Sequence, residues 1–180
     1  MNAPNRYGTL ANLLTPNRRS VFISYHHGGD RQYYTEFSRV FADGFDAVED
    51  NSVDRIIDSD DAEYVIRKIR EGYITGSSCT VVLCGAGTPW RKFVDWEIKA
   101  TLDANHGIIG VNLPTNPLTN NGTYTVPDRL HDNIVGGYAL WTMWATIAAN
   151  PTTLRTLVED ARSRSAWLIN NSRQLRSRNG

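Results

Sequence analysis

Excess charge of either sign is missing from this chain. Its 180 residues carry 19 acidic and 19 basic side chains, so no overall field draws it toward nucleic acid or a membrane surface, and a charged ligand must be held by a local site. Long apolar runs are missing as well. Nothing approaches the roughly 18 consecutive apolar residues of a membrane helix, and Met1–Ser20 holds Pro4, Asn5, Arg6 and Pro16 where a signal peptide would place an apolar stretch. A cytoplasmic protein that uses neither membrane nor nucleic acid is expected. Cysteine is scarce: Cys79 and Cys84 lie five apart in one candidate strand, on opposite faces, and cannot bond to each other there. Two small buried thiols in a reducing compartment are the expectation. No His-x-x-x-His or Cys-x-x-Cys spacing occurs, and the adjacent His26 and His27 project differently from a turn, so no metal site is expected.

What is present is an alternation of two periodicities. After a polar leader, 1–18, Val21–Tyr25 (VFISY) is a short apolar, β-branched run, followed by HHGGD, a turn whose Asp30 is placed to cap a helix. Tyr33, Phe37, Val40 and Phe41 recur at helical spacing, and Gly44 ends that helix before a second strand at Phe45–Val48. Asp60 and Glu63 have the form of a capping box for a helix lined by Ala62, Val65, Ile66, Ile69 and Tyr73 and closed by Gly72 and Gly76. Thr80–Cys84 and Ile108–Leu113 are strands apolar on both faces, as in a parallel sheet covered on both sides. Residues 114–132 read as a long loop, and Tyr138–Trp144 as either a strand or a buried helix. Asn150-Pro151 is a cap and first helical position for a C-terminal helix over about 151–170, with Leu154, Leu157, Val158 and Ala161 inward. Its arginine- and serine-rich tail reads as a solvated, fraying helix end rather than a nucleic-acid arm, since aromatic interleaving is limited to Trp167.

Strand, helix, strand, helix with continuous apolar strands implies one three-layer α/β domain over 19–180, a parallel sheet with helices on both faces. In such sheets ligands bind beyond the carboxyl ends of the strands. That rim takes Tyr25, His26, His27, Gly28, Gly29 and Asp30 from the first loop, Glu49, Asp50 and Asn51 from the second, and Gly85–Trp90 (GAGTPW) from the third. Gly85-Ala86-Gly87 is not a dinucleotide fingerprint, because Trp90 stands at the third glycine position. Ser24 has no glycine elbow around it, which argues against a nucleophile-elbow hydrolase.

The helix FVDWEIKATLDA carries the awkward residue. Val94, Ile98 and Leu102 form a row at a spacing of four, made to be buried. Glu97 falls only about 60° around from Val94, at the edge of the apolar face and beside Trp96. It is either a surface carboxylate paired with Arg91, Lys92 or Lys99, or a carboxylate held where a cleft begins. Trp96 is either a packing residue or a ring that stacks on a ligand, and Asp46 either a fold residue or a ribose contact.

SVFISYHHGGD, the acidic DAVED after the second strand, and TVVLCGAGTPWRKFVDWEIKATL followed by HGIIGVNL resemble the TIR (Toll and interleukin receptor) family, more narrowly its small bacterial branch of Thoeris anti-phage systems. The resemblance is clearest over 20–114. It implies a flavodoxin-like sheet and an enzyme that cleaves the nicotinamide–ribose bond of NAD, with NAD as substrate and no cofactor. Glu97 would be the catalytic group, and Tyr25, His26, His27, Asp46, Trp90 and Trp96 would line the substrate. The product expected is a cyclic or rearranged ADP-ribose that signals to a separate effector, after self-association triggered by a phage component. Departures from the family pattern keep a second reading open, a non-catalytic TIR-like module that binds a nucleotide or a partner protein.

Overall fold

The computed structural model describes residues 19–49 and 61–180. Five strands, β1 (Arg19–Tyr25), β2 (Phe45–Glu49), β3 (Cys79–Cys84), β4 (Gly107–Asn112) and β5 (Leu140–Met143), form one sheet in the order β2-β1-β3-β4-β5. Every neighbouring pair is parallel. This is the flavodoxin-like order, in which chain direction across the sheet reverses between β1 and β3. All six residues of β3 and all six of β4 are buried, which is why both strands read as unbroken apolar runs.

Among the described residues six α-helices cover the two faces: α1 (His27–Val40), α2 (Ala62–Ile69), α3 (Lys92–Asp103), α4 (Asp128–Val135), α5 (Trp144–Ala149) and α6 (Pro151–Ser163). On one face Val21, Ile23, Val81, Leu83 and Val111 of the sheet pack against Phe37 of α1, Ile147 of α5 and Leu154 and Val158 of α6. On the other, Val82, Cys84 and Ile108 pack against Val94, Ile98 and Leu102 of α3 and Leu130 of α4, while Phe22 meets Val65, Ile66 and Ile69 of α2. Each aliphatic side chain fully withdrawn from water contributes about 1.5–3 kcal/mol, so the anticipated row on α3 is a main anchor of the layer beneath β3 and β4. Cys79 and Cys84 are free thiols on opposite sheet faces. Burial raises the pKa of both, with the negative charge of Asp30 adding to the effect at Cys84, so both stay protonated and unreactive. Among the described residues no helix is long and apolar enough to cross a membrane.

The structure corrects several local expectations. HHGGD is not a turn: α1 begins at His27, and the His26 carbonyl accepts from Gly29 N and Asp30 N. Asp60 lies outside the described residues, and it is Asp61 that caps α2, accepting from Glu63 N at 3.1 Å and Tyr64 N at 3.2 Å. Gly72 does not stop that helix, which continues as one π-helical turn over Arg70–Ile74 because Ile74 still has core to fill. The loop after β4 ends at Pro127, where α4 begins. Tyr138–Trp144 divides, giving β5 and then α5. Asn150 does cap α6, accepting from Thr152 N, but the helix stops at Ser163 and the chain beyond it takes another course.

His106, between α3 and β4, has a buried Nδ1 with no hydrogen-bond partner, and its carbonyl accepts from the Tyr138 hydroxyl at 2.9 Å. Burial lowers its pKa below the ordinary 6.5, because the imidazolium loses its hydration there. The unfolded chain therefore binds more protons than the folded one just below pH 6.5, and stability falls as pH drops through that window toward the lower folded value. Urea midpoints at pH 5.5 and 7.5 check this: the wild-type loss on acidification should shrink in His106→Gln.

Candidate active site

The C-terminal ends of β1 and β3 define the rim where the sheet order reverses. Ser24, penultimate in β1, shares the side of the sheet that carries Phe22 and faces α3. Its hydroxyl donates to Glu97 Oε2 at 2.5 Å, a buried, charge-assisted contact. Glu97 is 5 % exposed and Ser24 1 %. The surface-pair reading of Glu97 is thereby displaced: Lys99 pairs with Asp103 at 2.8 Å, and the Lys92 ammonium lies over the rings of Phe93 and Trp96. Within α3, the Thr101 hydroxyl donates to the Glu97 carbonyl at 2.8 Å. The buried contact between the Thr80 and Thr101 hydroxyls, at 2.7 Å, must then use the proton of Thr80. This chain of hydroxyls locks the turn carrying Glu97 to β3.

Asp30 does not cap a helix but sits 2 % exposed at the centre of the rim. It accepts from the Thr88 hydroxyl at 3.1 Å and the Thr115 hydroxyl at 3.0 Å, tying the loops after β3 and β4 to the start of α1. Thr88 in turn accepts from Gly85 N at 3.0 Å. The carboxylate presses so closely on Gly85 that a Cβ there would lie 2.2 Å from an Asp30 oxygen. Gly85→Ala should therefore push the β3–α3 loop off Asp30 and destabilise the fold by about 1–3 kcal/mol, measured as a shift in the urea midpoint, whereas Ala86→Gly should do much less.

The expected substrate-lining residues do not all converge. His26 is at the rim, its imbidazole ring set against Gly28, Gly29 and Gly87. Tyr25 lies on the opposite sheet face from Glu97, 3 % exposed, with His27 stacked on its ring at 4.3 Å and Tyr34 at 5.1 Å. Trp90 is 47 % exposed beside the crevice, with the Arg176 guanidinium 5.7 Å from its ring centre. Trp96 is in the core against Phe93, its indole nitrogen donating to Arg176 O at 2.9 Å, and presents no open face to a ligand. Asp46 pairs in register with Ser20, at the far end of β1 from Tyr25, and so is remote from the rim. Of the second loop, Asp50 and Asn51 lie outside the described residues. Among the described residues no three His, Cys, Asp or Glu side chains are grouped to hold a metal ion.

The tail is the largest departure from expectation. Rather than fraying, residues 170–180 run along α3 from its C-terminal to its N-terminal end. Asn171 Nδ2 donates to Asp103 Oδ1 at 2.8 Å, Arg176 N to Asp95 Oδ2 at 2.9 Å, Lys92 N to Asn179 Oδ1 at 2.9 Å, and Gly180 N to Trp90 O at 2.9 Å. The hub is the buried pair of Arg129 on α4 and Asp95 on α3, Nε to Oδ1 at 2.9 Å. Arg129 also donates to Asn171 Oδ1 and Gln174 O. The helix bearing Glu97 is thus held between the sheet and a polar strap. Arg173 pairs with Asp132 at 2.8 Å, which lowers the carboxyl pKa of Asp132.

A search of curated proteins finds no match. Among solved structures, the chain is similar to the TIR domains of the activated Roq1 resistosome directly recognizing the pathogen effector XopQ, at 13 % identity and a TM-score of 0.38, over 82 % of this chain and 85 % of that one. The family model described as "Thoeris protein ThsB, TIR-like domain" matches residues 22–117, more than half of the chain. That span contains β1 with Ser24, the loop from Gly85 to Trp90 and α3 with Glu97, and on this match the chain belongs to the TIR-like domain family of the Thoeris protein ThsB.

Proposed function

We propose that this chain cleaves the nicotinamide–ribose bond of NAD at Glu97 and releases a cyclic or rearranged ADP-ribose that signals to a separate effector in anti-phage defence. The observation that carries the reading is the position of Glu97: a sheltered carboxylate held by Ser24 at 2.5 Å, one residue below the end of β1, where the sheet order reverses. Nicotinamide in NAD is a cationic leaving group. It departs as the neutral base with the electron pair of the C–N bond, needs no proton, and leaves positive charge on the ribose. A fixed carboxylate beside the anomeric carbon or the ribose hydroxyls stabilises that oxocarbenium character, and sheltering from water strengthens its field. A hydroxyl of the same molecule then closes the ring with loss of its proton, or water adds and gives ADP-ribose. Self-association triggered by a phage component, in the cytoplasm, completes the proposal.

Mass spectrometry of NAD incubated with the purified protein, with and without extract of phage-infected cells, tests turnover and names the product together. Release of nicotinamide is expected; its absence under both conditions overturns the reading. A second reading has its own support, since a carboxylate 5 % exposed and already hydrogen-bonded also suits a structural role in a nucleotide- or protein-binding module. Calorimetric nucleotide binding without turnover is the result that selects it.

A further inference from the structure

We infer that Arg91, together with His26, forms an anion subsite that takes the pyrophosphate of a dinucleotide; the dinucleotide rests on the reading above, the anion on geometry alone. Arg91 is half-buried at the junction between the β3 loop and α3. Its Nε is buried and has no hydrogen-bond partner. Among the described residues none of the carboxylates forms an ion pair with its guanidinium, whereas the buried Arg129 is fully engaged by Asp95, Asn171 and Gln174. A guanidinium N–H withdrawn from water without an acceptor is costly, and the acceptor that suits its planar fork is a carboxylate or a phosphate.

His26 and Arg91 converge on one glycine. A Cβ at Gly87 would lie 2.8 Å from His26 Nδ1 and 3.7 Å from Arg91 Nη2. A Cβ at Gly29 would likewise meet His26 Nδ1 at 2.8 Å, and one at Gly28 would meet Nε2 at 3.2 Å. Three residues without side chains therefore let backbone pack closely on the imidazole, with the Arg91 guanidinium next to it across Gly87. The place is the crevice between β1 and β3. The helix end adds no free donor at Lys92, whose N–H is taken by Asn179 Oδ1. The nearby carboxylate of Asp30 is already held by Thr88 and Thr115. A cation unmatched by local carboxylate is what a pyrophosphate would neutralise.

The test compares wild type, Arg91→Met and Arg91→Lys. Calorimetry with inorganic pyrophosphate and with ADP-ribose, at fixed ionic strength, reads the subsite without turnover; NAD kinetics read it in catalysis. Arg91→Met should weaken both ligands about ten- to a hundred-fold, and Arg91→Lys should recover only part, since an ammonium lacks the fork. The KM for NAD should rise correspondingly, with kcat changing much less. Melting should be equal or higher, as Arg91 makes no side-chain bond to lose and its buried N–H is relieved of an unmet acceptor; Arg91→Gln is read in the same way if the methionine variant folds poorly. Undiminished pyrophosphate and ADP-ribose binding in the variants, or no binding of either ligand by wild type, overturns the subsite. Loss of pyrophosphate binding in a protein that never turns over NAD keeps the subsite and removes the enzyme.

Discussion

Glu97→Gln should leave NAD essentially uncleaved, with kcat/KM for nicotinamide release reduced about 10³-fold, the scale of losing one preorganised electrostatic partner of a transition state. The substitution keeps volume and keeps an oxygen able to accept from the Ser24 hydroxyl, now 2.5 Å from Oε2. Packing against α3's neighbours therefore survives, and the variant should fold, as a cooperative melt will check. Folding and chemistry separate cleanly in this variant. Ser24→Ala completes the test: the carboxylate remains but loses the hydroxyl donor of Ser24, so an intermediate loss of about tenfold is expected. Activity of Glu97→Gln equal to wild type would refute the catalytic assignment and favour the binding module.

Arg129→Met should be the most damaging single change to the fold. Arg129 is completely buried and pairs with Asp95; its removal strands a buried carboxylate and frees Asn171 and Gln174 of the strap. Breaking one side of a buried pair costs about 3–5 kcal/mol, which in a domain of this size lowers the melting temperature on the order of 10 °C. Residues 170–180 should become accessible to protease, because Arg129 holds Asn171 and Gln174 directly and fixes the Asp95 carboxylate that accepts from Arg176 N. In Asp95→Leu with Arg129→Met, no charge is stranded, and stability should recover in part, while the strap stays loose. Calorimetric melting and limited proteolysis check the two effects separately. A single variant that melts like wild type would show that neither the pair nor the strap bonds of Arg129 carry the stability.

The α/β character and the layer assignment were legible because they rest on short-range repetition. A strand buried on both faces must be apolar throughout, as TVVLC is, and a helix on a sheet must repeat apolar residues at three and four, as Val94, Ile98 and Leu102 do. Those patterns follow from backbone geometry and side-chain chemistry within about a dozen residues. They were also enough to set Glu97 at the edge of a buried face.

Partnership was not legible, because a hydrogen bond is chosen by distance in space. Ser24 meets a carboxylate 73 positions away, and only the pairing of β1 beside β3, with α3 beneath them, brings the two together. Asp30 has the look of a cap, yet threonines 58 and 85 residues on satisfy it. Asp46 was misplaced because strand register, not strand identity, decides which end of the sheet a residue reaches. The polar tail looked solvated because nothing in its own composition reveals that Asp95, Asp103, Arg129 and Trp96 offer it bonds along one surface. Local chemistry settled which elements form and which faces they bury; the register of the sheet and the course of the tail settled which polar groups meet, since those encounters exist only once distant segments are packed.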